Sequence, residues 1–207
     1  MRRSVLCKTA RLATDVPLVF TFLGGGETPL ASAWEPLAED GYYSFNDAHA
    51  MMAFVADGRD AAAGRLLATL ERAAQGEGTN AGMTRDVALP LAHALAAFGA
   101  GDYEAAVPLL ARVRPVASRF GGSHAQRDVI ALTLIEAALR AGRVQLARAL
   151  AAERTELKPT SPFNWSVTGR ALMAAGDANG AAAAQRTAEA LRHPSSGAKL
   201  LRAAAGR

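Results

Sequence analysis

The residues of this chain best equipped for chemistry fall into four sets, each at the start of an apolar run: Asn46, Asp47 and His49; Arg85 and Asp86; His124, Gln126, Arg127 and Asp128; and Asn164. Three uses fit these types. His124 with Asp128 four positions later makes a base with a carboxylate to orient it, which serves proton transfer when both sit in a closed pocket. His49, Asp47, His124 and Asp128 together form a nitrogen and oxygen donor set of the kind that holds a metal ion. Arg85, Arg127, Asn46 and Gln126 are hydrogen-bond donors suited to carboxylates or to the backbone of a bound peptide. A plainer use stands beside each: Asp or Asn in a first helical turn caps the helix or meets its dipole. Ser123 is a plausible cap for the His124 run, and the Arg-Asp pairs can bind neighbouring elements.

Positioning these groups falls to a repeated helical unit. Thr84-Arg85-Asp86-Val87 returns as Gln126-Arg127-Asp128-Val129, and four glycines, Gly58, Gly101, Gly142 and Gly176, end successive first helices. Their intervals are roughly 43, 41 and 34 residues, the range of helical solenoids. Asp47, Asp86 and Asp128 precede their glycines by about 11, 15 and 14 residues, a spread of about one helical turn, which predicts an acidic ladder along one face.

Element by element, a helix opens at Thr28-Pro29, stops by Gly41, and carries Leu30, Trp34 and Leu37 on one side. It reads as the second half of a hairpin. Phe45 to Ala56 and Asp60 to Ala74 form the next pair, with Ala48, Met51, Met52, Val55, Leu66, Leu67 and Leu70 at core spacing. The next hairpin runs from about Met83 to Phe98 and from Tyr103 to Val113, where Pro90 and Pro108 predict kinks or shortening. Gln126 to Arg140 with Val144 to Leu157, and Asn164 to Ala175 with Ala178 to Leu191, complete about four hairpins. The domain spans residues 29–192. Residues 1–28 are expected to be irregular or the remnant of an upstream repeat, and residues 193–207 form a basic tail.

Composition agrees with an all-α chain. Ala is about a quarter of the sequence, while aromatic and β-branched residues are sparse, which favours helix over strand. The single Cys7 excludes an intrachain disulfide and a cysteine zinc cage, and makes a cytoplasmic location the default. The net charge of +4 comes from Arg scattered among Asp and Glu, without the clustered stripe that nucleic acid requires. The apolar run from Val16 to Leu23 is too short to cross a bilayer, and the Gly24 to Gly26 run lacks the Gly-Lys-Ser/Thr ending of a phosphate loop. No nucleophile elbow or zinc-protease motif is present. No cofactor, no nucleic acid and no membrane are expected.

Small residues after each turn glycine, Ala63, Ala106 and Ala147, followed by Leu67, Leu110 and Ala151 and a closing Pro159, resemble the tetratricopeptide pattern, although its Trp-Leu-Gly opening is absent. A closer resemblance rests on Glu39-Asp40-Gly41-Tyr42-Tyr43, Phe45-Asn46-Asp47-Ala48-His49, Leu157-Lys158-Pro159, Ser161-Pro162 and above all Gly121-Gly122-Ser123-His124-Ala125-Gln126-Arg127-Asp128. Across residues 34–176 these strings resemble the tetratricopeptide repeat protein 38 family, whose members are longer, so that the chain looks like their C-terminal part. The resemblance implies an α-α superhelix whose first helices line a concave surface. It implies a repeat scaffold and no particular activity. The expectation is a binding scaffold taking a protein or peptide segment in its groove. The alternative is an enzyme, or a metal or small-molecule binder, that uses the His/Asp cluster.

Overall fold

Glycine punctuation shapes the chain. Gly58, Gly101, Gly142 and Gly176 take left-handed conformations, with φ of 69°, 82°, 69° and 80°, which a residue bearing a Cβ adopts only at a cost. The computed structural model describes residues 29–193, so the segment 1–28 and the tail beyond His193 lie outside the described residues. Among the described residues the regular elements are helical: α1 (Pro29–Trp34) with a 3-10 turn (Glu35–Leu37), α2 (Ser44–Asp57), α3 (Asp60–Ala74), and α4 (Thr79–Met83) passing through a π turn (Thr84–Ala88) into α5 (Leu89–Gly99). Then follow α6 (Tyr103–Val113) with a 3-10 segment (Arg114–Phe120), α7 (His124–Arg140), α8 (Val144–Leu157), α9 (Pro162–Ala174) and α10 (Ala178–Arg192). No described helix is long and apolar enough to cross a membrane.

Most boundaries match the expected ones within two residues, and the largest departure is at Pro90. A kinked or shortened helix starting near Met83 was expected, yet helix begins at Thr79 and Pro90 is buried near the start of α5. Proline lacks an N–H and crowds the carbonyl four residues back, here that of Asp86. The chain answers by widening one turn: the Leu89 N–H donates to the Thr84 carbonyl, five residues back, so the helix passes the proline through a π turn instead of breaking.

The chain divides into two compact units, one ending at Ala137 and one beginning at Ala138. In the first, α2 packs on α3 and α5, and α5 packs on α6. Their core comprises Met51, Phe54, Leu66, Leu70, Val87, Leu91, Leu95, Leu110 and Val113, all buried. A Cβ at Gly99 would overlap the Val55 side chain, so this glycine lets α5 approach α2 closely. The first helix corrects an expectation: Leu30 and Leu37 are 41% and 47% exposed and Trp34 is half-buried, while Ala31 and Ala38 are buried instead. Ala31 is small enough to let α1 lie close on α2. Ion pairs tie that turn down, with Glu35 meeting Arg59 and, at 3.0 Å, Arg65; those two guanidinium groups hold the Glu35 carboxyl below its usual range.

In the second unit, α9 packs on both α8 and α10. Its core is small: Ala147, Leu150, Ala151, Val167, Ala171, Ala181, Ala184 and Ala188. Helix α10 buries only alanines, as its composition predicts. Asp177 caps it by accepting the Gly180 N–H at 2.8 Å.

Candidate functional site

The strings Phe45–His49 and Gly121–Asp128, separated by more than 70 residues, meet in the first unit. Phe45, in the first turn of α2, sits 5.5 Å from Phe120 in an edge-on ring pair and 4.3 Å from the His49 ring. The Tyr43 hydroxyl donates to the Phe120 carbonyl at 3.4 Å. Gly121 and Gly122 both have positive φ, of 87° and 76°. A Cβ on Gly122 would overlap the Phe45 ring, and one on Gly121 would stand 3.0 Å from the Tyr43 hydroxyl. The glycine pair is therefore what lets the start of α7 close on the start of α2.

At the start of α7 the polar residues first serve the helix. Ser123 and Gln126 form a capping box: the Ser123 N–H donates to Gln126 Oε1 at 2.8 Å, and the Gln126 N–H returns to Ser123 Oγ at 3.3 Å. Arg127 donates to the carbonyls of Gly121, at 3.1 Å, and Gly122, and so braces the glycine pair. His124 is exposed, with its Nδ1 3.4 Å from Arg127 Nη2. Asp128 is half-buried.

Elsewhere the expected donors are divided. Arg85 serves the backbone: its Nε and Nη2 donate to the Ala74 carbonyl at 3.0 and 2.7 Å, closing the end of α3. Asp86 pairs with Arg119. Asn46 is exposed, and its side-chain amide has no hydrogen-bond partner among the described residues. His49 is half-buried, with Nδ1 2.8 Å from the Phe45 carbonyl; a carbonyl only accepts, so Nδ1 is the donor.

Asp47 overturns the acidic ladder. It is 6% exposed, turned into the protein, and its Oδ2 has no hydrogen-bond partner. Burial pushes its carboxyl from 3.8 up to about 6, with the nearby Asp40 charge adding to the rise. Asp47, Asp86 and Asp128 thus present one buried, one ion-paired and one half-buried group, not a row on one face. Among the described residues no three His, Cys, Asp or Glu side chains gather to hold a metal ion, so the donor set of Asp47, His49, His124 and Asp128 is not assembled as one.

Asn164, in the second unit, is also structural. It is buried, its Nδ2 donates to the Arg154 carbonyl at 2.9 Å, and its Oδ1 accepts from Arg154 Nη2 at 3.2 Å. Asn164→Ala is expected to lower the free energy of unfolding in urea by about 2 kcal/mol, because it strands buried polar groups at the end of α8; an unchanged midpoint would contradict that bracing role.

The sequence reading missed three residues of the site as such: Tyr42, 88% exposed, Tyr43, and Phe120 as the ring that receives Phe45. A signal was available in Gly121-Gly122, since paired glycines before a capping serine mark a place where another segment comes close. No family model matches this chain, and no solved structure matches it.

Proposed function

We propose that the chain is an interaction module of tetratricopeptide-like helical repeats, related to the tetratricopeptide repeat protein 38 family and working in the cytoplasm, that docks a protein or peptide segment. Helix pairs joined at left-handed glycines support the repeat reading, as do Ala106, Ala147 and Ala181, each five residues past its turn glycine and each buried. The docking edge is Tyr42, Tyr43, Asn46 and His124. The observation that carries it is Tyr42, a large aromatic side chain left almost wholly in solvent, next in the chain to Tyr43, whose hydroxyl stands at the glycine junction. Tyrosines of this kind supply rigid, amphipathic contact area and dominate many protein interfaces.

The test compares wild type with a Tyr42→Ser, Asn46→Ser double variant of matched melting temperature in quantitative capture from native cytosol. A partner retained by wild type and lost by the variant, at least tenfold, is the expected result. Equal capture by both, or none, removes the docking edge. A second reading, a small-molecule binder or enzyme, is favoured by the buried, raised Asp47 carboxyl, whose Oδ2 has no hydrogen-bond partner. It predicts a small-molecule or metal shift in melting temperature.

A further inference from the structure

Asp47 is an acid to which the fold offers no counter-charge. The elements packed most extensively on α2 are α1, α3, the π turn and α5, and their charges point elsewhere. Arg65 meets Glu35 and Glu39, Arg72 donates to Thr69, Glu71 lies 3.8 Å from His93, Arg85 closes α3, Asp86 pairs with Arg119, and Asp60 is exposed. On α2 itself His49 is bonded to the Phe45 carbonyl and Asp57 pairs with Arg59. The charge that acts on Asp47 is Asp40, of the same sign.

Asp40 rides on the loop that carries Gly41, Tyr42 and Tyr43, and that loop is held by few bonds. Asn80 Nδ2 donates to the Gly41 carbonyl at 3.3 Å, and Asn80 Oδ1 accepts from the Ser44 N–H at 3.4 Å and from its hydroxyl at 3.3 Å. Ser44 Oγ lies 2.8 Å from Thr84 Oγ1. Ser44 precedes Asp47 by one helical turn on the same buried face. The N–H groups of Asn46 and Asp47 both donate to the Tyr43 carbonyl, at 2.9 and 3.1 Å, so the loop and the first turn of α2 open together.

We propose that Asp47 makes the tyrosine edge proton-responsive: protonated, it lets the loop from Asp40 to Tyr43 seat on α2, and ionised, it drives the loop outward until water reaches the carboxylate. This deepens the docking reading and rests on it for its use; the loop opening needs no partner. Opening returns the carboxyl from about 6 towards its ordinary 3.8. The closed form therefore holds the proton more tightly. Its advantage is complete below about pH 4, falls as pH rises through 6, and is lost above.

Native-state hydrogen exchange on the full chain, without any partner, tests this. After correction for intrinsic exchange, protection of the amides of residues 46 and 47 is expected to fall about tenfold between pH 5 and 7.5, with the Leu110 amide of α6 as an unmoved reference. Asp47→Asn should abolish that dependence, and Asp40→Asn, at an exposed position, should reduce it. Flat protection in wild type, a dependence that survives in Asp47→Asn, or an equal loss at Leu110 would overturn the proposal. Each of these outcomes would leave the docking edge itself untouched, because capture at one pH tests that separately.

Discussion

Gly122→Ala is expected to lower the stability of the chain by about 3 kcal/mol in chemical unfolding, a large effect for one methyl group. Two costs combine. Gly122 holds φ of 76°, and an L residue in the left-handed region loses about 1–2 kcal/mol. The added Cβ would also enter the Phe45 ring, whose Cζ and Cδ2 stand 3.1 and 3.2 Å from its position, and overpacking of this kind costs about 1–3 kcal/mol. Phe45 has little room to retreat, with Tyr43, His49 and Phe120 around it. Gly122→Ala, Phe45→Ala in combination should recover the overlap cost and keep the backbone cost, so the two changes should be less than additive. A neutral Gly122→Ala would mean that the two strings do not meet as described, and the candidate site would lose its foundation.

Phe54→Ala should cost about 4 kcal/mol, the range for deleting a fully buried aromatic side chain, because both transfer free energy and a cavity are charged against the fold. Phe54 is 0% exposed and comes from α2, which packs on α3 and α5. The loss should appear as a lower urea midpoint with an unchanged slope, showing that compactness is retained. Leu37→Ala is the contrast. Leu37 is a similar apolar residue, but it is largely exposed, so its replacement is expected to change stability by no more than about 0.5 kcal/mol. Equal effects at the two positions would contradict the placement of the core.

Helix identity and most boundaries were legible in the sequence, because they depend on neighbours within a turn or two. Asp60 to Ala74, Tyr103 to Val113 and Val144 to Leu157 are found with the limits expected from apolar spacing and a preceding glycine. The Ser123 cap was legible for the same reason: its partner Gln126 is three residues away. Pro90 was misjudged because a proline declares a local conflict but not its solution, and the π turn is permitted by packing of Val87 and Ala88 on the rest of the first unit.

The polar residues show where that legibility ends. Arg85 and Arg127 occupy matching places in a repeated string, and so do Asp86 and Asp128, yet Arg85 closes α3 while Arg127 braces its own glycine pair. Asp47 and Asp86 each stand ahead of an apolar run in the sequence, but one is buried with its Oδ2 unpartnered and the other meets Arg119, 33 residues on. The sequence alone determined an all-helical chain turned at four glycines, since backbone preference and apolar period are properties of short segments. Only the tertiary structure decided which acid is desolvated, which arginine is spent on a carbonyl, and that Phe45 lies under Gly122, because each depends on a segment far along the chain whose approach no local pattern encodes.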